Sequence, residues 1–134
     1  MSAENVAVVR RFFHEVWNDR RQETIDELLD DESTCQSDIG ELLGPAGFRA
    51  LQYEPMLAAF PDARVTIEGI MDAGDEVAVR WSAEATHAGE AMGMAPTGRP
   101  VRLEGMSWIR VRGGKLGLGW QWSNIPTVLA SLRG

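Results

Sequence analysis

Val6, Val9, Phe13 and Val16 recur at steps of three and four, with Phe12 and Trp17 widening the stripe. That spacing predicts an amphipathic helix with one face turned to a core. Glu4 lies in its first turn, where the helix dipole favours an anion, and Asn18-Asp19 ends the run. Ile25, Leu28 and Leu29 predict a second short helix over 23–29. Residues 30–40 are polar and turn-rich and read as a loop. Gly44-Pro45 opens a third helical stretch, which Pro55 interrupts because proline lacks a backbone donor and clashes with the preceding turn. The expectation is a kink, or two short helices meeting near Tyr53 to Pro55. Met56, Leu57 and Phe60 continue the apolar face.

After Pro61-Asp62 the period changes from helical to two. Val65 to Glu68 alternates, and residues 76–87 alternate for longer. Val77, Val79, Trp81, Ala83 and Ala85 share one face; Arg80, Ser82, Glu84 and Thr86 share the other, with Ala78 an apolar exception. Residues 102–111 and 115–122 alternate again, the latter with Leu116, Leu118, Trp120 and Trp122 on one side. Period two predicts strands with unlike faces. Asp72-Ala73-Gly74-Asp75 and Gly113-Gly114 are the hairpin turns, since glycine accepts positive φ. Residues 89–100 form a longer connection containing Met92 and Met94. Helices first and an antiparallel sheet afterwards predict an α+β fold. N-terminal helices pack on a strongly curved antiparallel sheet, forming a cone with an internal apolar pocket.

Size and charge narrow the possibilities. The 134 residues suffice for one domain, expected to span 1–134. A formal net charge of −7 argues against a broad electrostatic grip on nucleic acid or an anionic membrane. The apolar runs are too short to cross a bilayer, and Met1 to Asn5 lack the features of a secretory leader. The expected location is the cytoplasm. One cysteine, Cys35, excludes an internal disulfide and a cysteine-based zinc site. No metal site is expected.

Five stretches come in a telling order: Phe12-Phe13-His14-Glu15-Val16-Trp17-Asn18; Phe60-Pro61-Asp62 before Val65-Thr66-Ile67-Glu68; Thr86-His87-Ala88-Gly89-Glu90; Pro96-Thr97-Gly98-Arg99-Pro100-Val101; and Arg110 followed by Gly114-Lys115-Leu116. They resemble, in sequence, the first helix, the helix-to-sheet junction and the later motifs of the SnoaL-like polyketide cyclases of the nuclear transport factor 2-like superfamily. The likeness implies an α+β cone and an intramolecular aldol ring closure on a polyketide ester, with no cofactor. It also implies an acid/base carboxylate on the last strand, after a tryptophan. Here that position is Gln121, within Gly119-Trp120-Gln121-Trp122-Ser123-Asn124. The paired position on the preceding strand is Ser107, and Leu118 replaces a family glutamate. Glutamine has no useful pKa and takes no proton as a base.

Gln121, Ser107 and Ser123 share the parity expected to face the pocket, where their hydrogen bonds suit a carbonyl or an enolate. His87 and Asp38 are the candidate replacement acid/base groups. Against them stand ordinary roles: a histidine bonded to its loop and a turn aspartate. His14 reads as a helix-surface residue and Cys35 as small buried filler. Trp17, Tyr53, Met56, Phe60, Trp81, Met92 and Met94 are candidates for the pocket wall, with core packing as the alternative for each. Arg80, Glu84, Arg102, Glu104 and Arg110 fall on the opposite face, where cross-strand pairing accounts for them. Met106, Trp108, Trp120 and Trp122 share that face, so a homodimer is expected.

The expected ligand is a small apolar or polycyclic molecule. The first functional reading is a SnoaL-like cyclase or a related lyase or isomerase. The second is a non-catalytic binding protein of the same fold, because Gln121 replaces the carboxylate. A third, an epoxide-opening hydrolase, lacks an evident acid pair to activate water.

Overall fold

The computed structural model describes residues 2–90 and 93–133. Helix α1 (Ser2–Phe12) runs directly into a π-helical turn (Phe13–Asn18), and together they bury Val9, Phe12, Phe13 and Val16. Arg20 then turns the chain with a φ of 60°, unusual for a residue with a side chain. Its guanidinium holds the turn by donating 2.9 Å hydrogen bonds to the carbonyls of Pro61 and Ala63. Helix α2 (Gln22–Leu28) buries Thr24, Ile25 and Leu28.

The predicted loop over residues 30–40 is a β-hairpin instead. Strand β1 (Leu29–Ser37) pairs antiparallel with β2 (Gly40–Leu43) and parallel with the last strand. Leu29 thus opens a strand and does not close α2. A register shift between Leu29 and Thr34 breaks the alternation that would mark β1, and its second partner comes from the far end of the chain.

Helix α3 (Gly44–Phe48), a second π-helical turn (Arg49–Tyr53) and helix α4 (Glu54–Ala59) follow without a gap. Pro55 sits in the first turn of α4, where its missing donor is tolerated. The proline therefore marks a helix start, at the junction expected for it.

Strands β3 (Arg64–Ala73), β4 (Glu76–Thr86), β5 (Pro100–Arg112) and β6 (Lys115–Ser123) match the period-two segments. Gly113 and Gly114, with φ of 58° and 76°, make the left-handed turn that a two-residue hairpin needs. The sheet has six strands in the order β2-β1-β6-β5-β4-β3. It is mixed, since β1 and β6 run parallel, and the expectation of a purely antiparallel sheet is corrected to that extent.

A C-terminal helix, α5 (Ile125–Arg133), was not foreseen. Its signals are present in the sequence. Ser123 accepts a hydrogen bond from the Ile125 N–H at 3.1 Å, Pro126 follows in the first turn, and Val128, Leu129 and Leu132 pack against the core. No helix among the described residues is long and apolar enough to cross a membrane.

The concave face of the sheet carries the core: Val77, Val79, Trp81, Ala83 and Ala85 from β4, with Leu103, Ile109 and Val111 from β5. Helix α1 packs against β3 and β4, while α2 and α3 pack against β1. One correction concerns β6. A register shift between Arg110 and Val111 pairs Leu116 with buried Val111, while Leu118 pairs with Arg110. Leu116 therefore points into the core and does not share a face with Trp120 and Trp122. On the convex face Trp108 is 46% exposed and Trp122 60% exposed.

Candidate functional site

The helices and the curved sheet enclose a cavity of about 120 Å³, which with its open mouth spans about 1040 Å³. The space follows from side-chain size. Ala83, Gly105, Ser107 and Gly119 lie on the concave face of β4, β5 and β6, so little fills the centre of the curve. At Gly105 a methyl group would meet the Trp81 ring and the Trp122 carbonyl oxygen, each at 2.6 Å. This glycine lets the indole lie close across β5.

Phe12 and Phe13 of the first helical run, with Trp17, form one wall of the cavity. Phe48, Gln52, Met56 and Leu57 from α3, its π turn and α4 form another. The sheet supplies Ser33, Thr34 and Cys35 from β1, Trp81 and Ala83 from β4, Ser107 from β5, and Gln121 from β6. The aromatic wall is continuous: Trp17 lies 5.3 Å from Tyr53 and 5.9 Å from Phe48 between ring centres. None of the described lining residues carries a charge.

Ser107 and Gln121 are directly opposite each other in the β5–β6 ladder. The Trp81 indole N–H donates to Ser107 Oγ at 3.3 Å, leaving the serine proton free to donate elsewhere. The serine and the amide thus face the same apolar cavity from adjacent strands. Cys35 also faces the cavity, and burial pushes its thiol up to about 11. It stays protonated near neutrality and is no nucleophile there.

Of the residues singled out from the sequence, Gln121, Ser107, Trp17, Met56 and Trp81 line the cavity. Tyr53, Phe60, Met94, Ser123, His87 and Asp38 are not among its lining residues, and Met92 lies outside the described residues. Tyr53 is buried behind Trp17 and Phe48, and its hydroxyl is shifted upward by burial. Phe60 packs against the His87 ring, 5.6 Å between centres.

His87 is completely buried and wired to the following loop. Its Nδ1 meets Thr97 Oγ1 at 3.0 Å and accepts from the Thr97 N–H at 3.3 Å, while its carbonyl accepts from the Gly98 N–H at 2.8 Å. Asp38 is the turn aspartate between β1 and β2. It accepts hydrogen bonds from the Ser123 hydroxyl and, at 3.2 Å, from the Ser123 N–H. Neither group lines the cavity: Asp38 and His87 Nδ1 are engaged in structural bonds, and His87 Nε2 is buried without a partner. His14 is exposed beside Asp19, 3.4 Å away.

Reading the sequence missed Gln52. It lies in a helical stretch, where a lone glutamine reads as surface, yet it is only 8% exposed and lines the cavity. Its placement follows from the π turn of residues 49–53, whose neighbours Phe48 and Tyr53 are buried with it.

The comparisons agree with this architecture. Residues 7–132 match the family model described as SnoaL-like polyketide cyclase. A candidate SnoaL-like polyketide cyclase from Jannaschia sp. CCS1 superposes with a TM-score of 0.86 at 20% identity, covering 96% of this chain and 91% of that one. AclR, a candidate hydroxylase from Streptomyces galilaeus, gives 0.85 at 30% identity, over 98% and 86%. IdmH, a candidate polyketide cyclase from Streptomyces antibioticus, gives 0.82 at 27% identity, over 96% and 98%. No curated protein matches the chain. With a family match along nearly its full length and the fold to go with it, the chain belongs to the SnoaL-like polyketide cyclase family.

Proposed function

We propose that this protein closes a ring in an apolar, polyketide-like carbonyl compound by an aldol-type or related lyase or isomerase reaction, without a cofactor. The observation that carries this reading is the Ser107–Gln121 pair facing an aromatic-walled cavity. Confinement folds the substrate so that its reacting carbons approach, and a near-attack geometry lowers a barrier by several kcal/mol. The serine hydroxyl and the glutamine amide then donate to the carbonyl oxygen as it gains charge. Neither is a base. With no base among the described lining residues, the reading takes a substrate that reacts as its enol: the new carbon–carbon bond forms as the enol oxygen becomes a carbonyl, and the enol proton passes to the new alkoxide oxygen. TerC, a structure of the same fold at 16% identity, was co-crystallised with polyporic acid, which supports a small cyclic ligand here.

The alternative is a binding protein that carries such a molecule unchanged, favoured by the uncharged lining. Native mass spectrometry of the purified protein, followed by extraction and incubation of any retained molecule with fresh protein, separates these readings. A rearranged or dehydrated product supports the cyclase. An unchanged molecule supports the carrier. A protein that retains nothing and binds none of a panel of polycyclic ketones overturns the reading.

The reading includes a cytoplasmic location and a homodimer through the convex face, supported by exposed Met106, Trp108 and Trp122. Sedimentation should show a dimer that Trp122→Glu converts to monomer. A monomeric wild type at micromolar concentration would overturn the dimer.

A further inference from the structure

Gln52 presents a physical problem. Its residue is more than nine-tenths buried, its neighbours are aromatic, and its side chain has no hydrogen-bond partner among the described residues. A buried amide without a partner costs stability, and a methionine or leucine would fill the same space without that cost. Its atoms do not belong with the fully enclosed unpaired groups, which are Arg20 Nη1 and His87 Nε2. The amide is therefore not fully enclosed, and its residue lines the cavity. It also sits in a π-helical turn, an irregularity that recurs at functional sites. A second amide, Gln121, reaches the same cavity from β6.

We propose that the cavity takes an uncharged ligand and that Gln52 hydrogen-bonds the ligand's buried polar group. This rests on the reading of the cavity as a ligand site and adds the class of ligand and a specificity-determining residue. The charge argument is direct. With no charged side chain among the described lining residues, an ionised ligand group would lose its water and gain no counter-ion. Two primary amides and a serine hydroxyl offer both donors and acceptors, which suit a ketone, ester or hydroxyl.

Three probes of nearly equal shape test this: 2-acetylnaphthalene, 2-isopropylnaphthalene and 2-naphthoate. Affinity is read by titration calorimetry, and occupancy by quenching of tryptophan fluorescence, since Trp17 and Trp81 line the cavity. Wild type should bind the ketone at least about tenfold more tightly than the carboxylate. Gln52→Met should weaken the ketone about fivefold to tenfold while leaving the hydrocarbon within about twofold. The same variant should melt no lower than wild type, because the side chain makes no hydrogen bond to the described residues and methionine fills the same space; Gln52→Leu is the second variant should methionine pack poorly. Equal loss for ketone and hydrocarbon, or a lowered melting temperature in both variants, overturns the role of Gln52. Carboxylate binding as tight as the ketone's overturns the uncharged class. If no probe binds or quenches the tryptophan fluorescence, the ligand-site reading fails as well.

Discussion

The family resemblance points to Gln121 and Ser107, and so does strand parity, which requires only near neighbours in the chain. The two pair directly and line the cavity, whereas Ser123, of the same parity, does not. Gln52 gave no such signal, since nothing local distinguishes a glutamine facing a cavity from one facing water. Gln121→Asp tests the electrostatics of the site. In an uncharged apolar space the new carboxyl should titrate above its ordinary range. The folded state then holds the proton more tightly than the unfolded one, so stability should fall as pH rises through the shifted value. Thermal melts from acid to neutral pH should show this slope relative to wild type. Equal slopes would mean that the carboxylate reaches solvent. Gly105→Ala tests packing. The added methyl meets Trp81 and the Trp122 carbonyl oxygen at 2.6 Å, so denaturant melts should show a loss of about 1–3 kcal/mol. Unchanged stability would mean that the indole moves freely, and with it the donor to Ser107.

Most elements were readable because their hydrophobic periods are long and clean. The four long strands and the helix boundary at Pro55 belong to this group. The β1–β2 hairpin was not readable. Its residues are largely polar, and its ladder depends on β6, about eighty residues away in the chain. The shift in register near Gly117 escaped for a related reason: it becomes visible only once β5 fixes the pairing. Helix α5 is tied down by Ser123, whose hydroxyl bonds both Asp38 and the Ile125 N–H. Ser123→Ala should cost about 1 kcal/mol and speed amide exchange in α5 without changing ligand affinity. A loss of affinity with intact α5 protection would instead place Ser123 at the ligand.

For the protein in its entirety, acid is the informative stress. Hydrogen bonds from Arg11 and Thr24 hold the Glu15 carboxyl below the usual range, and the Thr86 N–H does the same for Asp62. These depressed values stabilise the fold above the unfolded pKa, and the contribution disappears as pH falls through the folded one. The melting temperature should therefore be level above about pH 5 and decline below it, and Glu15→Gln should flatten the decline. An unaltered acid slope in that variant would mean that other carboxylates govern it. Amphipathic period, turn glycines, chain length and the sequence of family-like motifs were enough to establish an α+β cone, because each depends on local geometry or on order along the chain. The parallel β1–β6 pair, the inward turn of Leu116, the removal of His87 and Asp38 from the cavity, and the exposure of Gln52 to it were settled only by folding. Each depends on groups far apart in the chain, whose contacts form only when the sheet curves and the helices close over it.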